Sequence, residues 1–120
     1  MTALKFFSSV LVWLALAISA TVFPKSVSVT QIANRFITPN GDSKNENAVI
    51  FLSNPQYSDV TGKIYDVQGK FIADMAFDSI VQKLTWDGRN SNGQAARSGV
   101  YVFVIQAEGS AYRGLLVVVR

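Results

Sequence analysis

The sequence has 120 residues, of which 49% are hydrophobic and 16% charged, and this is enough for one domain with its own core. It contains no cysteine and no histidine, which excludes disulfide bonds, a cysteine nucleophile and a Ser-His-Asp triad, and removes the commonest transition-metal ligand. The net charge of +3 comes from scattered lysines and arginines, so no nucleic-acid partner is expected. We predict that the protein is not an enzyme.

Residues 1–20 have the pattern of a secretory signal peptide. Lys5 supplies the positive start, residues 6–17 form an apolar run, and small residues follow it. The run is shorter than the roughly 20 residues that a membrane span needs. We therefore predict cleavage after Ala20, with Ala17 as the second choice and an uncleaved anchor as the alternative. After cleavage no stable membrane span is expected, and the protein should lie in the periplasm, on the cell surface or in the medium.

The rest of the chain, residues 21–120, has a β pattern throughout and is interpreted as one domain. Alternating or short apolar runs, separated by glycine, asparagine and aspartate, predict strands at 26–33, 48–53, 60–67, 70–75, 80–86, 99–107 and 112–120. The segment Asp66-Val67-Gln68-Gly69 predicts a hairpin turn with a positive φ at Gly69. Seven short strands at regular spacing predict an all-β fold, an Ig-like antiparallel β-sandwich.

The last two predicted strands are apolar on both faces. A strand of this kind is either a central strand covered on both sides or an edge that docks against a partner. The central interpretation is favoured for residues 115–119, because natural proteins avoid exposed apolar edges.

Four motifs carry a resemblance to known proteins. They are TPNGDSKNEN at 38–47, IYDVQG at 64–69, WDGRNSNG at 86–93 and SGVY at 98–101. In this order they resemble the Ig-like domain of flagellar hook-capping proteins and the related gliding-motility-associated and type IX secretion C-terminal modules. The motif positions are Pro39, Asn40, Gly41, Asp42, Asp66, Gly69, Trp86, Asp87, Gly88, Gly93, Gly99 and Tyr101.

The resemblance implies a non-catalytic, exported Ig-like module that docks to a protein partner in the cell envelope or the secretion apparatus. One alternative is a secreted carbohydrate-binding module, in which Tyr57, Phe77 or Tyr112 would stack on a sugar ring. We favour the interpretation that Phe77 and Tyr112 fill the edge of the sandwich. A second alternative is a type IX sorting-type domain. The oligomeric state is left open.

Turn chemistry explains most residues of the two polar loops. Aspartate and asparagine bond their own backbone in tight turns, and Gly41, Gly88 and Gly93 supply positive φ. We expect the Trp86 N–H to donate to a loop carbonyl and the Tyr101 hydroxyl to donate to the backbone, as the corner tyrosine of β-sandwiches does.

A calcium site is the other interpretation of these loops, and no further cofactor is expected. Oxygen-bearing side chains alternate along the first loop, which suits a hard cation. The candidate ligands are Asn40, Asp42 and Glu46 in the first loop, and Asp87, Asn90 and Asn92 in the second. Lys44 lies among the first set, and the EF-hand spacing is missing. Turn formation is therefore favoured.

Overall fold

The computed structural model describes residues 27–120, which form two β-sheets packed face to face. Nine strands lie in this region: β1 (Ser28–Asn34), β2 (Phe36–Ile37), β3 (Ala48–Ser53), β4 (Val60–Asp66), β5 (Phe71–Asp74), β6 (Ala76–Asp78), β7 (Lys83–Trp86), β8 (Gly99–Ala107) and β9 (Ser110–Val118). The four-stranded sheet has the order β1-β3-β7-β6, and the five-stranded sheet has the order β2-β9-β8-β4-β5. The all-β Ig-like sandwich predicted from the sequence is confirmed.

The strand number differs from the seven that were predicted. The first predicted strand, 26–33, is β1, and β2 was not predicted. After Arg35 the chain enters the other sheet, where β2 pairs in parallel with β9, unlike the antiparallel pairs of the rest of the described sandwich. The predicted strand 70–75 is β5, and the chain crosses at Met75 to form β6 in the other sheet. A change of sheet leaves a short apolar run unbroken, so the hydrophobic pattern alone does not reveal it.

Other strand boundaries follow the sequence closely. The strands predicted at 48–53 and 99–107 are β3 and β8, with the same limits. The strand predicted from residue 80 begins at Lys83, because residues 79–82 form the turn from β6 to β7. The connection between the strands predicted at 99–107 and 112–120 is shorter than expected, since Ser110 already pairs with Ala107. Glu108 and Gly109 both have positive φ, as a two-residue hairpin with the twist of its strands requires.

The core lies between the sheets and is built from alternate residues of each strand. Its largest fully buried side chains are Ile37, Ile50, Ile64, Leu84, Ile105, Leu116 and Val118. Strand β8 illustrates the alternation, because Tyr101, Phe103 and Ile105 are buried while Val102 and Val104 point to the opposite face. Burying a side chain of this size contributes about 1.5–3 kcal/mol, so the core supplies the stability that disulfides supply in many exported domains.

The two ends of the sandwich carry different loops. At the end where β1 begins, the buried side chain of Asn54 holds the loop after β3 in place. Its Nδ2 donates to the Ser58 carbonyl and to Gln82 Oε1, and its Oδ1 accepts the Ser58 N–H. In the neighbouring turn, the backbone N–H groups of Val81 and Ile80 donate to the Asp78 carboxylate and hold its pKa below the usual value.

The predicted signal peptide, residues 1–20, lies outside the described residues. Between residues 27 and 120 no helix is long and apolar enough to cross a bilayer.

Candidate docking surfaces: the motif end and the outer sheet face

The first motif loop, residues 38–47, is held by turns of its own polar side chains. Asn40 Oδ1 accepts the Asp42 N–H at 3.2 Å, and Asp42 Oδ1 accepts the Lys44 N–H at 2.9 Å. The Thr38 N–H donates to the Asn45 carbonyl at 2.8 Å and closes the loop. These bonds are the turn chemistry that the sequence predicts for aspartate and asparagine.

The second motif loop, residues 87–98, is anchored by two buried aromatic side chains. The Trp86 N–H donates to the Arg89 carbonyl at 2.8 Å, and the Tyr101 hydroxyl donates to the Arg97 carbonyl at 2.7 Å, so both expected bonds are confirmed. The two rings meet edge to face with centroids 5.2 Å apart. Burial raises the pKa of the Tyr101 hydroxyl, which therefore stays protonated and able to donate.

The hairpin of the IYDVQG motif, residues 64–69, also forms as predicted. Asp66 Oδ1 accepts the N–H groups of Gln68 and Lys70, each at 2.9 Å, and Gly69 has a φ of 87°. Positive φ is likewise found at Gly41, Gly88 and Gly93, the glycines that the sequence analysis placed in left-handed turns.

The two sets of calcium candidates lie in separate loops, and most of their side-chain oxygens already serve the backbone. In the second set Asp87 Oδ1 accepts the Arg89 N–H, and Asn90 Oδ1 accepts the N–H groups of Asn92 and Gln94. In the first set Glu46 Oε1 is buried without a hydrogen-bond partner among the described residues. Across residues 27–120 no three acidic side chains come together to hold a metal ion. Calcium binding stays a prediction.

Arg120 ties the two motif loops together. Its Nε donates to the Ala96 carbonyl at 2.6 Å, its Nη2 to the Gly88 carbonyl at 2.8 Å and its Nη1 to the Pro39 carbonyl at 3.3 Å. Its backbone N–H donates to Ser98 Oγ at 2.9 Å. One planar guanidinium with donors in a fixed fork thus bonds three carbonyls, one in the first motif loop and two in the second. We call the two loops and Arg120 the motif end.

Gly88 shows why the motif end requires a glycine at this position. Its φ is 76°, and an added Cβ would lie 3.2 Å from Ile37 Cδ1 and 3.2 Å from Pro39 Cγ. A side chain here would be strained and would also push the first loop away from the second.

A second feature is the apolar outer face of the five-stranded sheet, the face directed away from the core. In one row across the strands Phe36 lies beside Val117, which pairs with Val100. In the next row the neighbours are Leu115, Val102, Tyr65 and Phe71. We call these two rows the outer face. Phe36 is 61% exposed and Leu115 50%, so the outer face presents large apolar side chains to solvent.

A charged row borders the outer face on the side of the β8–β9 hairpin. Arg113 is exposed at one edge of the sheet and lies beside Val104. Toward the other edge, Lys63 of β4 lies 3.4 Å from Asp74 of the edge strand β5 and 5.3 Å from the centre of the Phe71 ring. Lys63 is therefore paired, whereas Arg113 has no carboxylate partner within residues 27–120.

The β9 edge is open over most of its length. Strand β2 pairs with β9 only at Val117 and Val118, and no other described strand lies on that side. The central position favoured for the last strand therefore holds only near its end. Val117 and Val119 donate their N–H groups toward β2, and alternate residues point the same way, so the N–H groups of Ala111, Arg113 and Leu115 face the open side.

The aromatic residues considered for sugar binding do not form one platform. Phe77 and Tyr112 pack against the core, as favoured from the sequence, and the Tyr112 hydroxyl donates to the Val27 carbonyl. Tyr57 is 74% exposed in a loop at the end opposite the motif end.

Comparison with known proteins identifies the domain. A family model described as the CHU_C type IX secretion signal domain matches residues 30–118, well over half of the chain. The chain belongs to this family. A CHU_C domain is a secretion-signal module rather than an enzyme, and membership implies that the protein works outside the cytoplasm. A search of curated proteins gave no match.

Similar folds occur in two solved structures from Porphyromonas gingivalis. One is PorZ, described as an essential bacterial surface component of the type-IX secretion system, with a TM-score of 0.54 and 18% identity over 75% of this chain. The other is dimeric latent PorU, with a TM-score of 0.50 and 20% identity over 82% of this chain. The aligned part spans 11% of the PorZ chain and 10% of the PorU chain. At these identities the likeness shows a shared fold.

The comparisons support one part of the resemblance stated from the motifs. The type IX secretion and gliding-motility-associated modules are supported by the family match. The likeness to hook-capping proteins rests on the motifs alone.

Proposed function

We propose that the CHU_C domain of this protein is a folded export signal, bound by a protein of the type IX secretion apparatus and without catalytic activity. The match of the family model to residues 30–118 carries the proposal, because it covers both motif loops and both sheets. This choice narrows the broader expectation of an envelope or secretion partner to the secretion apparatus.

The predicted signal peptide fits the same route. A leader at residues 1–20 would take the chain across the first membrane, and the folded domain would then be available for recognition. Recognition of a folded surface requires a rigid arrangement of side chains, and the Arg120 bonds at the motif end provide one. The final compartment is then the cell surface or the medium.

The test uses the full chain with a reporter protein inserted between residues 20 and 21. It is expressed in a bacterium with a working type IX apparatus and in an isogenic strain without the apparatus. We expect the reporter outside the first strain and inside the envelope of the second. Equal release from both strains would contradict the proposal.

A matched control separates recognition from leakage. The same reporter behind residues 1–20 but lacking residues 27–120 should stay inside the envelope of both strains. If this control is released as efficiently as the full chain, the domain is not the signal.

A further inference from the structure

The open β9 edge and the outer face beside it form one continuous surface. The N–H groups of Ala111 and Arg113 face the open side, and Leu115 and Phe36 expose apolar side chains on the adjoining outer face. An open edge of this kind is a template for another strand, and native domains commonly cover or blunt it. Here it is flanked by apolar side chains instead, which favours occupation by an extended segment.

The charge of this edge restricts what can occupy it. Segments 27–38 and 110–120 contain three arginines and no aspartate or glutamate. Arg35 lies along the edge, with Nη1 donating to the Leu115 carbonyl at 3.4 Å, and Arg113 projects from the middle of the open stretch. Among residues 27–120 the outward N–H donors of this edge have no partner, so the edge presents unpaired donors and guanidinium groups together, a combination that favours a chain with carboxylates.

A second copy of the protein is a poor occupant for the same reason. Antiparallel pairing of two β9 edges, centred on the open stretch of residues 110–116, would place the two copies of Arg113 opposite each other. Like charges directly opposite in a strand pair are destabilising.

We propose that β9 receives an added strand from the secretion apparatus, an extended segment with a carboxylate opposite Arg113 and an apolar side chain beside Leu115. The segment hydrogen-bonds to the free backbone groups of Ala111 and Arg113 and extends the outer face by one strand. This inference rests on the proposed function and names the surface and the partner chemistry that it uses.

The test compares variants of the reporter-carrying full chain in the strain with the apparatus. Ala111→Pro removes one outward N–H, and an edge strand tolerates proline where its N–H faces solvent. Its control, Ala111→Val, keeps the N–H. Arg113→Glu reverses the charge of the edge, Arg113→Lys keeps it, and Lys70→Glu makes the same charge change at the hairpin bordering the opposite edge of this sheet.

Ala111→Pro and Arg113→Glu should each lower the released fraction about fivefold or more, while the three other variants release as the wild type does. Melting temperatures within a few degrees of the wild type show that the variants are folded. If Ala111→Pro fails to fold, the released fractions of Arg113→Glu and Lys70→Glu are compared instead, and equal release would overturn the proposal.

Release of folded Ala111→Pro and Arg113→Glu at the wild-type level would overturn the added strand and leave the proposed function standing. Wild-type release that does not depend on the apparatus would overturn both. Sedimentation of the purified protein tests whether a second copy occupies the edge. A wild-type dimer that Ala111→Pro converts to a monomer would show that β9 pairs with a second copy, and would overturn the added strand from the apparatus.

Discussion

Replacing Arg120 by alanine should loosen the motif end and lower the stability of the whole domain. The change removes two short hydrogen bonds, to the Ala96 and Gly88 carbonyls, and one long bond to the Pro39 carbonyl. A hydrogen bond contributes about 1 kcal/mol net, and the exposed position of Arg120 lets water replace part of the loss. Counting the two short bonds, we expect a loss of about 2 kcal/mol, or about 8–16 °C in melting temperature for a domain of this size.

Urea denaturation of the folded chain measures this loss, with Arg97→Ala as the control. Arg97 is also exposed and belongs to the second motif loop, and its side chain makes no hydrogen bond within the described region. Arg120→Lys keeps the charge but lacks the fork, so it should recover only a minor part of the stability. Hydrogen exchange should also quicken at the Ala96 amide, which donates to the Gly88 carbonyl. Equal stability of Arg120→Ala and Arg97→Ala would refute the tie between the loops.

Three further substitutions test the packing and the turns. Gly114→Ala should cost about 1–3 kcal/mol in urea denaturation, because an added Cβ would lie 2.4 Å from the Phe103 ring; an unchanged midpoint would mean that the ring yields freely. Asn54→Ala should cost about 2 kcal/mol in thermal unfolding, because it leaves the partly buried N–H and carbonyl of Ser58 without their partner. Replacing an exposed asparagine should cost almost nothing. Asp78→Ala should lower the free energy of unfolding near neutral pH, and the difference from the wild type should vanish in acid. Because the pKa of Asp78 is lower in the folded than in the unfolded chain, its carboxylate stabilises the fold above the unfolded pKa, and this stability is lost as the pH falls through the folded pKa. A stability difference between variant and wild type that does not change with pH would contradict this explanation.

The sequence predicted the fold well where one strand stays in one sheet. Strands β3 and β8 have the predicted limits, because a short buried run and a clear alternation are both direct consequences of their surroundings. The pattern did not predict β2 and β6, the two short strands that form after the chain changes sheets at Arg35 and Met75. Those crossings depend on which neighbour is available in space, and local pattern contains no record of it.

The candidate surfaces were predicted in part. The motif positions around Trp86 and Tyr101 and their backbone bonds follow from the chemistry of buried aromatic side chains. The role of Arg120 could not be predicted in this way. Its carbonyl partners lie up to 81 residues away, and in the sequence a basic residue at this position resembles any solvated charge. The outer face was visible as a two-sided apolar pattern, but its exposure depends on β2 covering only two residues of β9.

The position where the chain enters the sandwich leaves the motif end accessible. Val27 lies beside Tyr112 near the β8–β9 hairpin, at the end opposite Arg120. A protein joined ahead of the domain would therefore approach from that end and leave the motif end clear. The outer face belongs to the five-stranded sheet, which β1 does not join. The rigid loops of the motif end can thus be reached by a binding protein whatever precedes the domain, which is what the proposed function requires.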